Sequence, residues 1–173
     1  SKVPASGILY DLGSHLLDQV ISLFGKPKAM TKVRGVYRPN SEVDDYGCIV
    51  LNYGTGLNVY ITVSLLVANP QASFVLHGTN GSFVKNRTDV QEAQLIGGMM
   101  PNNPAFGIEP DGMEGVLTNP DQDENLVSKL VPAELGNYMG LFDEVFKTIR
   151  EGKPYLVTRD QIIWQLEILE PNK

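Results

Sequence analysis

The chain is poor in the residues that mark several classes of protein. It has one cysteine, Cys48, among 173 residues, so no disulfide can form within the chain and a reduced, cytoplasmic setting is expected. Acidic residues outnumber basic ones by 20 to 14, and the net charge of -6 argues against a nucleic-acid partner. No segment approaches the roughly 20 apolar residues of a membrane span, and no basic stretch with an apolar core resembles a secretory leader.

Nucleotide-binding and acyl-transfer motifs are missing as well. The sequence has no G-x-G-x-x-G between a strand and a helix and no G-x-x-x-x-G-K-[ST]. Without such a cradle for phosphate, the chain is not expected to hold a dinucleotide tightly by itself. There is no G-x-S-x-G elbow, and Cys48 is interpreted as a small buried core residue rather than a nucleophile.

The residues that are present predict one domain, 1–173, of the α+β class. Hydrophobic residues make up 42% and charged residues 20% of the chain, which is typical of a globular protein with a core. Helical spacing of apolar residues predicts a helix over 8–24, which Gly25 and Pro27 should end. Gly13 interrupts that helix, which indicates either close approach of another group or a tolerated weak point.

Alternation with a period of two predicts antiparallel strands from 29 to about 95. The clearest strand is 57–65, with one apolar face and a second face of hydroxyl and aromatic residues. Tight turns at 52–57 and 77–81 favour hairpins, and 90–95 is predicted to be a further strand. The second face is interpreted as half-solvated or as an oligomer interface.

The rest of the chain divides into a long loop and two helices. Residues 97–137 show no clear period and contain five prolines, which predicts one long loop region. An apolar stripe over 138–149, followed by Gly152 and Pro154, predicts a helix. Thr158 and Gln161 form a capping box for a last helix.

Asp11 and His15 form the strongest candidate site. Residues at i and i+4 share one face of a helix, and a carboxylate one turn from an imidazole can orient it as a general base. The alternative is a partly buried histidine satisfied by an acidic neighbour. A metal held by Asp11, His15 and Asp18 is conceivable, but no second histidine lies nearby, so no metal is predicted. His77 ends a strand and is interpreted as a turn residue that could still contact a ligand.

These residues resemble a known family. The run Gly7–Asp18, G-x-x-x-D-x-G-x-H-x-x-D, is similar to the motif that opens the C-terminal domain of the glucose–fructose oxidoreductase / inositol dehydrogenase / MocA (Gfo/Idh/MocA) family. The segment 74–82 resembles the family's strand-turn-strand segment "hGtxGs", and 157–160 followed by an apolar helix resembles its ending. The loop with Gly107-Ile-Glu-Pro110 looks most like a subgroup that contains scyllo-inositol dehydrogenases.

The resemblance implies an α+β domain with a large, mostly antiparallel sheet and helices on one face, as in dihydrodipicolinate reductase. It implies an N-terminal Rossmann domain for NAD or NADP that this chain does not contain. His15 then corresponds to the catalytic histidine that takes a hydroxyl proton, and Asp11 to its acidic partner; both would touch substrate, and His77 is a further candidate contact.

By the same resemblance the partners are a polyol or sugar and further copies of the chain, which meet through the sheet face. The whole protein would be a dehydrogenase acting on CH–OH groups, and the chain alone would be inactive. The open alternative is a non-catalytic sugar-binding or scaffold domain of the same fold.

Overall fold

The computed structural model describes residues 3–170 and arranges them in two compact units. The first unit takes the chain as far as Ala68 and resumes at Tyr155, and the second runs Asn69–Pro154. In chain order the elements are α1 (Ile8–Phe24), β1 (Ala29–Gly35), β2 (Tyr46–Asn52), β3 (Asn58–Ser64), β4 (Phe74–Gly78), β5 (Gly81–Lys85), α2 (Gln91–Ile96), β6 (Gly115–Pro120), β7 (Leu126–Val131), α3 (Met139–Glu151) and α4 (Arg159–Leu169).

The first unit is a three-stranded antiparallel sheet, in the order β1-β2-β3, with α1 packed on one face and α4 packed against α1. Its core lies between that face and the two helices, and its buried apolar residues are Ile8, Leu9, Leu17, Ile21, Ile49, Leu51, Ile61, Val63, Ile168 and Leu169. Burial of this apolar surface is the main force holding helices and sheet together. The predicted bounds of the first helix, 8–24, are confirmed, and so is the Thr158–Gln161 capping box at the start of the last helix.

The face of α1 that packs on the sheet differs in part from the apolar stripe suggested by the sequence. Leu9, Gly13, Leu17 and Ile21 are buried, whereas Leu12 and Leu23 are exposed. These four buried residues recur every fourth position, so they share one side of the helix. Gly13 lies on this side, where a methyl group in its place would come within 3.3 Å of the Leu9 side chain.

Cys48 corrects one expectation. It is half-buried rather than part of the core, because the alternation in β2 turns Ile49 and Leu51 towards the helices and Cys48 towards the helix-free face. There it lies opposite Thr62 of β3, whose hydroxyl is 3.8 Å from the Cys48 sulfur.

The second unit is a four-stranded antiparallel sheet, in the order β4-β5-β6-β7. The α+β class with antiparallel strands is therefore confirmed, but the strands form two sheets where one large sheet was expected. Residues 65–73, which connect β3 to β4, belong to neither sheet. Pro70 in that stretch has no N–H to donate.

Two predictions in the second unit are wrong. Residues 91–96 form the helix α2 instead of a strand, because the Asp89 carboxylate accepts the Gln91 N–H at 3.0 Å and the following residues favour a helix. The expected long loop 97–137 contains the hairpin of β6 and β7. Its turn is set by Asp121, whose side chain accepts the N–H groups of Asp123 and Asn125 at 2.9 Å each.

An ion pair fastens the segment around Glu109 to β5. Glu109 pairs with Lys85, accepts the Thr88 hydroxyl at 2.6 Å and accepts the Ala133 N–H at 2.8 Å. The hydrogen bond from Lys85, together with those from Thr88 and Ala133, lowers the pKa of Glu109 from 4.5 to about 2. The carboxylate therefore stays charged, and tied to three partners, in moderately acidic solution.

None of the helices among the described residues is both long and apolar enough to cross a membrane.

The packing of α1 gives a first prediction. Leu17→Ala should lower the free energy of unfolding of the first unit by about 2–5 kcal/mol, because it leaves a cavity in the core. Leu23→Ala is the matched control: Leu23 is 73% exposed on the same helix, and a change of no more than about 0.5 kcal/mol is expected. The measurement is urea denaturation followed by the fluorescence of Trp164, which packs against this core. Equal effects of the two substitutions would contradict the packing.

The ion pair gives a second prediction. A carboxyl whose pKa is lowered on folding stabilises the folded state above its unfolded pKa of 4.5, and this contribution disappears as the pH falls through about 2. The NMR shift of the Ala133 amide should therefore titrate with a midpoint near 2, since that amide donates to Glu109. Glu109→Gln should abolish the titration. A midpoint near 4.5 in the unsubstituted chain would contradict the pairing.

Candidate functional site

The helix that carries Asp11 and His15 has Gly7 as its N-cap residue. The Asp44 main-chain oxygen accepts the Ile8 N–H at 2.9 Å, and an Asp44 carboxylate oxygen accepts the Leu9 N–H at 3.0 Å. These are N–H groups that no residue within a helix can satisfy at its first turn. Gly7 itself has φ 106°, a conformation that favours glycine.

Asp11 and His15 lie on the side of α1 that faces away from the sheet, and both are exposed. The i, i+4 spacing places them one helical turn apart, as predicted. Within the described residues, neither side chain forms a hydrogen bond or an ion pair, with the other or with a third group. The imidazole and the carboxylate are thus presented side by side to whatever occupies the space in front of α1. In proteins without substrate, hydrogen bonds between catalytic groups are often long and shorten on binding.

Asp18, three residues beyond His15, has a structural partner. Its carboxylate accepts a hydrogen bond of 2.7 Å from the Gln165 side chain of α4. Both residues are half-buried, so the bond joins the two helices of the first unit. Asp18 therefore contributes to helix packing. Among the described residues, no group of three or more His, Cys, Asp or Glu side chains is arranged to hold a metal ion.

His77 lies in the second unit, on β4 at the hairpin with β5. It is exposed, and its Nδ1 is 2.9 Å from the Ser82 hydroxyl directly across the hairpin. The predicted tight turn is confirmed, and this hydrogen bond leaves the other ring nitrogen open to a ligand. A role for His77 in substrate binding stays a prediction.

The start of α1 does not suit a phosphate group. Phosphates bind at helix starts because free N–H groups point at them, but at α1 the Asp44 carboxylate and main-chain oxygen already accept two of these. A second anion would meet the Asp44 charge at short range. The first turn of this helix is therefore filled by the protein's own carboxylate and is no cradle for a dinucleotide.

Sequence reasoning missed Asp44 and Arg34, which are built into the base of the site. Asp44 is 8% exposed, and an Arg34 nitrogen lies 3.7 Å from its carboxylate. The sequence offered one signal for Asp44: two acids, Asp44 and Asp45, come directly before an apolar strand. Acids that become buried with such a strand need partners, because buried acids without partners are rare. The partners of Asp44 lie on α1 and β1, at a distance along the chain that a local pattern cannot show.

Comparisons with known proteins agree on one family. Residues 1–171 match the family model GFO_IDH_MocA_C, described as "Oxidoreductase family, C-terminal alpha/beta domain". The uncharacterized oxidoreductase YhhX of Escherichia coli is 34% identical over 168 residues, which cover 97% of this chain and 48% of that protein. The scyllo-inositol 2-dehydrogenase (NADP(+)) IolW of Bacillus subtilis is 34% identical over 166 residues, covering 96% of this chain and 46% of that protein.

A solved structure leads to the same fold. The crystal structure of an oxidoreductase from Bacillus cereus superposes with a TM-score of 0.87 at 34% identity, over 98% of this chain and 50% of that one. The chain spans about half the length of the curated relatives it matches. The resemblance seen in the Gly7–Asp18 motif is confirmed, and so is the fold class.

Proposed function

The chain belongs to the Gfo/Idh/MocA oxidoreductase family as its C-terminal alpha/beta domain, and from this we propose that it is the substrate-binding and oligomerisation part of a cytoplasmic NAD(P)-dependent dehydrogenase. The substrate class is a sugar, an inositol or a related polyol. The observation that carries the proposal is the exposed Asp11–His15 pair on a helix whose start is fixed by buried contacts. The 34% identity of the chain to a scyllo-inositol 2-dehydrogenase, over 96% of the chain, supports the substrate class.

His15 is proposed to remove the hydroxyl proton. An imidazole can take a proton from an alcohol as that alcohol becomes a carbonyl. Neither ring nitrogen is occupied by another described residue, so one can face a substrate hydroxyl. Asp11 on the same face is proposed to accept hydrogen bonds from neighbouring hydroxyls and to stabilise the imidazolium once it forms.

NAD or NADP is proposed to be bound by a separate dinucleotide-binding domain. The nicotinamide, when bound, supplies the hydride acceptor or donor. The filled first turn of α1 and the missing glycine-rich loop support this division of labour. This chain then contributes the substrate hydroxyl contacts and the proton acceptor.

The test is NAD(P)H production by the protein that joins this chain to its dinucleotide-binding domain, over a panel of inositols and aldoses. His15→Gln should lower kcat by roughly 100-fold or more, as expected for loss of a general base. Gln19→Ala, an exposed change on the same helix, is the control and should retain activity. The chain alone should produce no NAD(P)H.

The outcomes separate the two candidate functions. Equal activity of the unsubstituted protein and His15→Gln would place the base elsewhere. Absence of activity on every polyol would favour the non-catalytic sugar-binding or scaffold domain. Raised KM with unchanged kcat in His77→Gln would support a binding role for that residue.

Homo-oligomerisation is proposed to use the helix-free face of the β1-β2-β3 sheet. This face presents Val33, Cys48 and Thr62 in register across three strands, and Tyr60 lies two positions before Thr62 on β3. Tyr60 is 70% exposed and Val33 is 53% exposed. Exposed aromatic and apolar groups on a flat sheet face are typical of association surfaces.

Sedimentation of the chain over a range of concentrations tests this face. A mass above that of one chain is expected, and Tyr60→Glu should shift it towards the monomer because a buried charge at an interface is costly. Gln19→Glu adds the same charge on the outer side of α1 and should leave the mass unchanged. Oligomers that persist in Tyr60→Glu would assign the interface to another surface.

A further inference from the structure

Asp44 contacts the start of α1 in three ways. Its main-chain oxygen accepts the Ile8 N–H, its carboxylate accepts the Leu9 N–H at 3.0 Å, and the same carboxylate fills the space beside Gly7. We propose that Asp44 is a positioning residue: held by Arg34, it fixes the first turn of α1 and so the place at which Asp11 and His15 are presented. The inference rests on the proposed function, because it assumes that His15 acts on substrate.

The glycine that opens the family motif has a physical reason in this contact. A Cβ at position 7 would overlap the Asp44 carboxylate, and the backbone there has φ 106° and ψ 166°, a region that is essentially restricted to glycine. Gly7 and Asp44 are 37 positions apart in sequence but form one contact. Gly7 therefore leaves room for the carboxylate of Asp44, a residue outside the motif.

Arg34 connects this carboxylate to the other helix of the unit. One of its nitrogens lies 3.7 Å from the Asp44 carboxylate, another donates to the Leu169 main-chain oxygen, and its guanidinium lies 5.7 Å from the centre of the Tyr10 ring. Leu169 is the last residue of α4, where main-chain oxygens lack partners. The start of α1 and the end of α4 are therefore tied through one side chain.

Lys32, on the same strand as Arg34, adds hydrogen bonds between β1 and the end of α4. It donates to the main-chain oxygens of Ile168 and Glu170. Burial, and then the nearby Arg34 charge, lower the pKa of Lys32 from 10.5 to about 8. Two cations in a half-buried place favour a nearby anion, and Asp44 is the buried acid that lies there.

Small movements at the start of α1 are enlarged at His15. The Asp11 N–H donates to the Gly7 oxygen at 3.1 Å, so Asp11 is one turn from the anchored residue and His15 is two turns away. Eight residues of helix span about 12 Å, so a tilt of about 10° at Gly7 moves His15 by roughly 2 Å. Catalytic groups need placement within about 0.5 Å. The contact of Asp44 with the start of α1 therefore matters for catalysis as well as for stability.

Asp45 provides a matched control next to Asp44. It is fully buried, and it accepts the N–H groups of Tyr37 and Arg38 at 2.9 and 2.8 Å. Burial alone would raise the pKa of Asp45, but the hydrogen bonds from Arg38 and Tyr37 outweigh it and lower the pKa. Asp45 holds the segment after β1, and among the described residues its side chain bonds Tyr37 and Arg38 and no residue of α1, so its removal tests stability without changing the contact of Asp44 with α1.

The first experiment measures amide hydrogen exchange by NMR in this chain and in Asp44→Asn, Asp44→Ala and Asp45→Asn. Exchange at Leu9 should rise about tenfold or more in Asp44→Ala relative to Ile61 in β3, because its acceptor is lost. Asp44→Asn keeps an acceptor oxygen and should show a smaller rise. Asp45→Asn should speed exchange at Tyr37 and Arg38 and leave the Leu9-to-Ile61 ratio unchanged.

Gly7→Ala tests the steric contact directly. In the unsubstituted background it should speed exchange at Leu9 because the new methyl group displaces the Asp44 carboxylate. In Asp44→Ala the same change should have a smaller effect, since only the backbone strain remains. Additive effects of the two substitutions would overturn the contact.

The second experiment measures kinetics in the protein that includes the dinucleotide-binding domain. Asp44→Asn should lower kcat at least several-fold and leave KM for NAD(P) unchanged, whereas Asp45→Asn should leave kcat unchanged under conditions where it is folded. Unaltered kcat in both Asp44 variants, or unaltered exchange at Leu9, would overturn the positioning role. If His15→Gln keeps full activity while the exchange results are as expected, the proposed function is overturned, but the contact by which Asp44 fixes the first turn of α1 is supported.

Discussion

The Asp44 carboxylate at the start of α1 is the interaction on which the first unit depends. It satisfies a helix N–H that would otherwise be buried without a partner, and it offsets the charge of Arg34. Removal of Arg34 would take the cation away from the buried Asp44 carboxylate, and breaking a buried pair on one side costs more than the intact pair contributes. Through Arg34, the same contact reaches the end of α4. One acid thus sets the relation between two helices and the sheet beneath them.

In this arrangement, the residues that hold α1 in place are different from the residues proposed to act on substrate. The buried side of α1 is apolar and close-packed, while Asp11 and His15 stand on the opposite side without partners among the described residues. The proposed role of His15 as proton acceptor needs a ring nitrogen that is free for substrate, so the position of His15 has to come from its helix. Asp18 belongs to the supporting set, since it bonds Gln165 of α4.

Local patterns predicted the elements with a strong period, such as α1, the hairpin of β2 and β3, and the α4 capping box. They failed at 91–96, where the Asp89 carboxylate accepts the Gln91 N–H and favours a helix. They also failed at 115–131, where the sequence shows no clear period although the residues form a hairpin. Asp11 and His15 were predicted as site residues because they share a short motif. Asp44 was not found, because its contacts with Gly7 and Arg34 depend on the tertiary fold.

The order of the chain has a consequence for how the protein forms during synthesis. The first unit takes Ile168 and Leu169 of its core from α4, whereas the second unit is one continuous stretch. Domains fold as units while the chain is still emerging from the ribosome. The second unit can therefore finish folding first, while the core of the first unit still lacks the side chains of α4. Over that interval the side of α1 that later packs against α4 is a surface that a chaperone would bind.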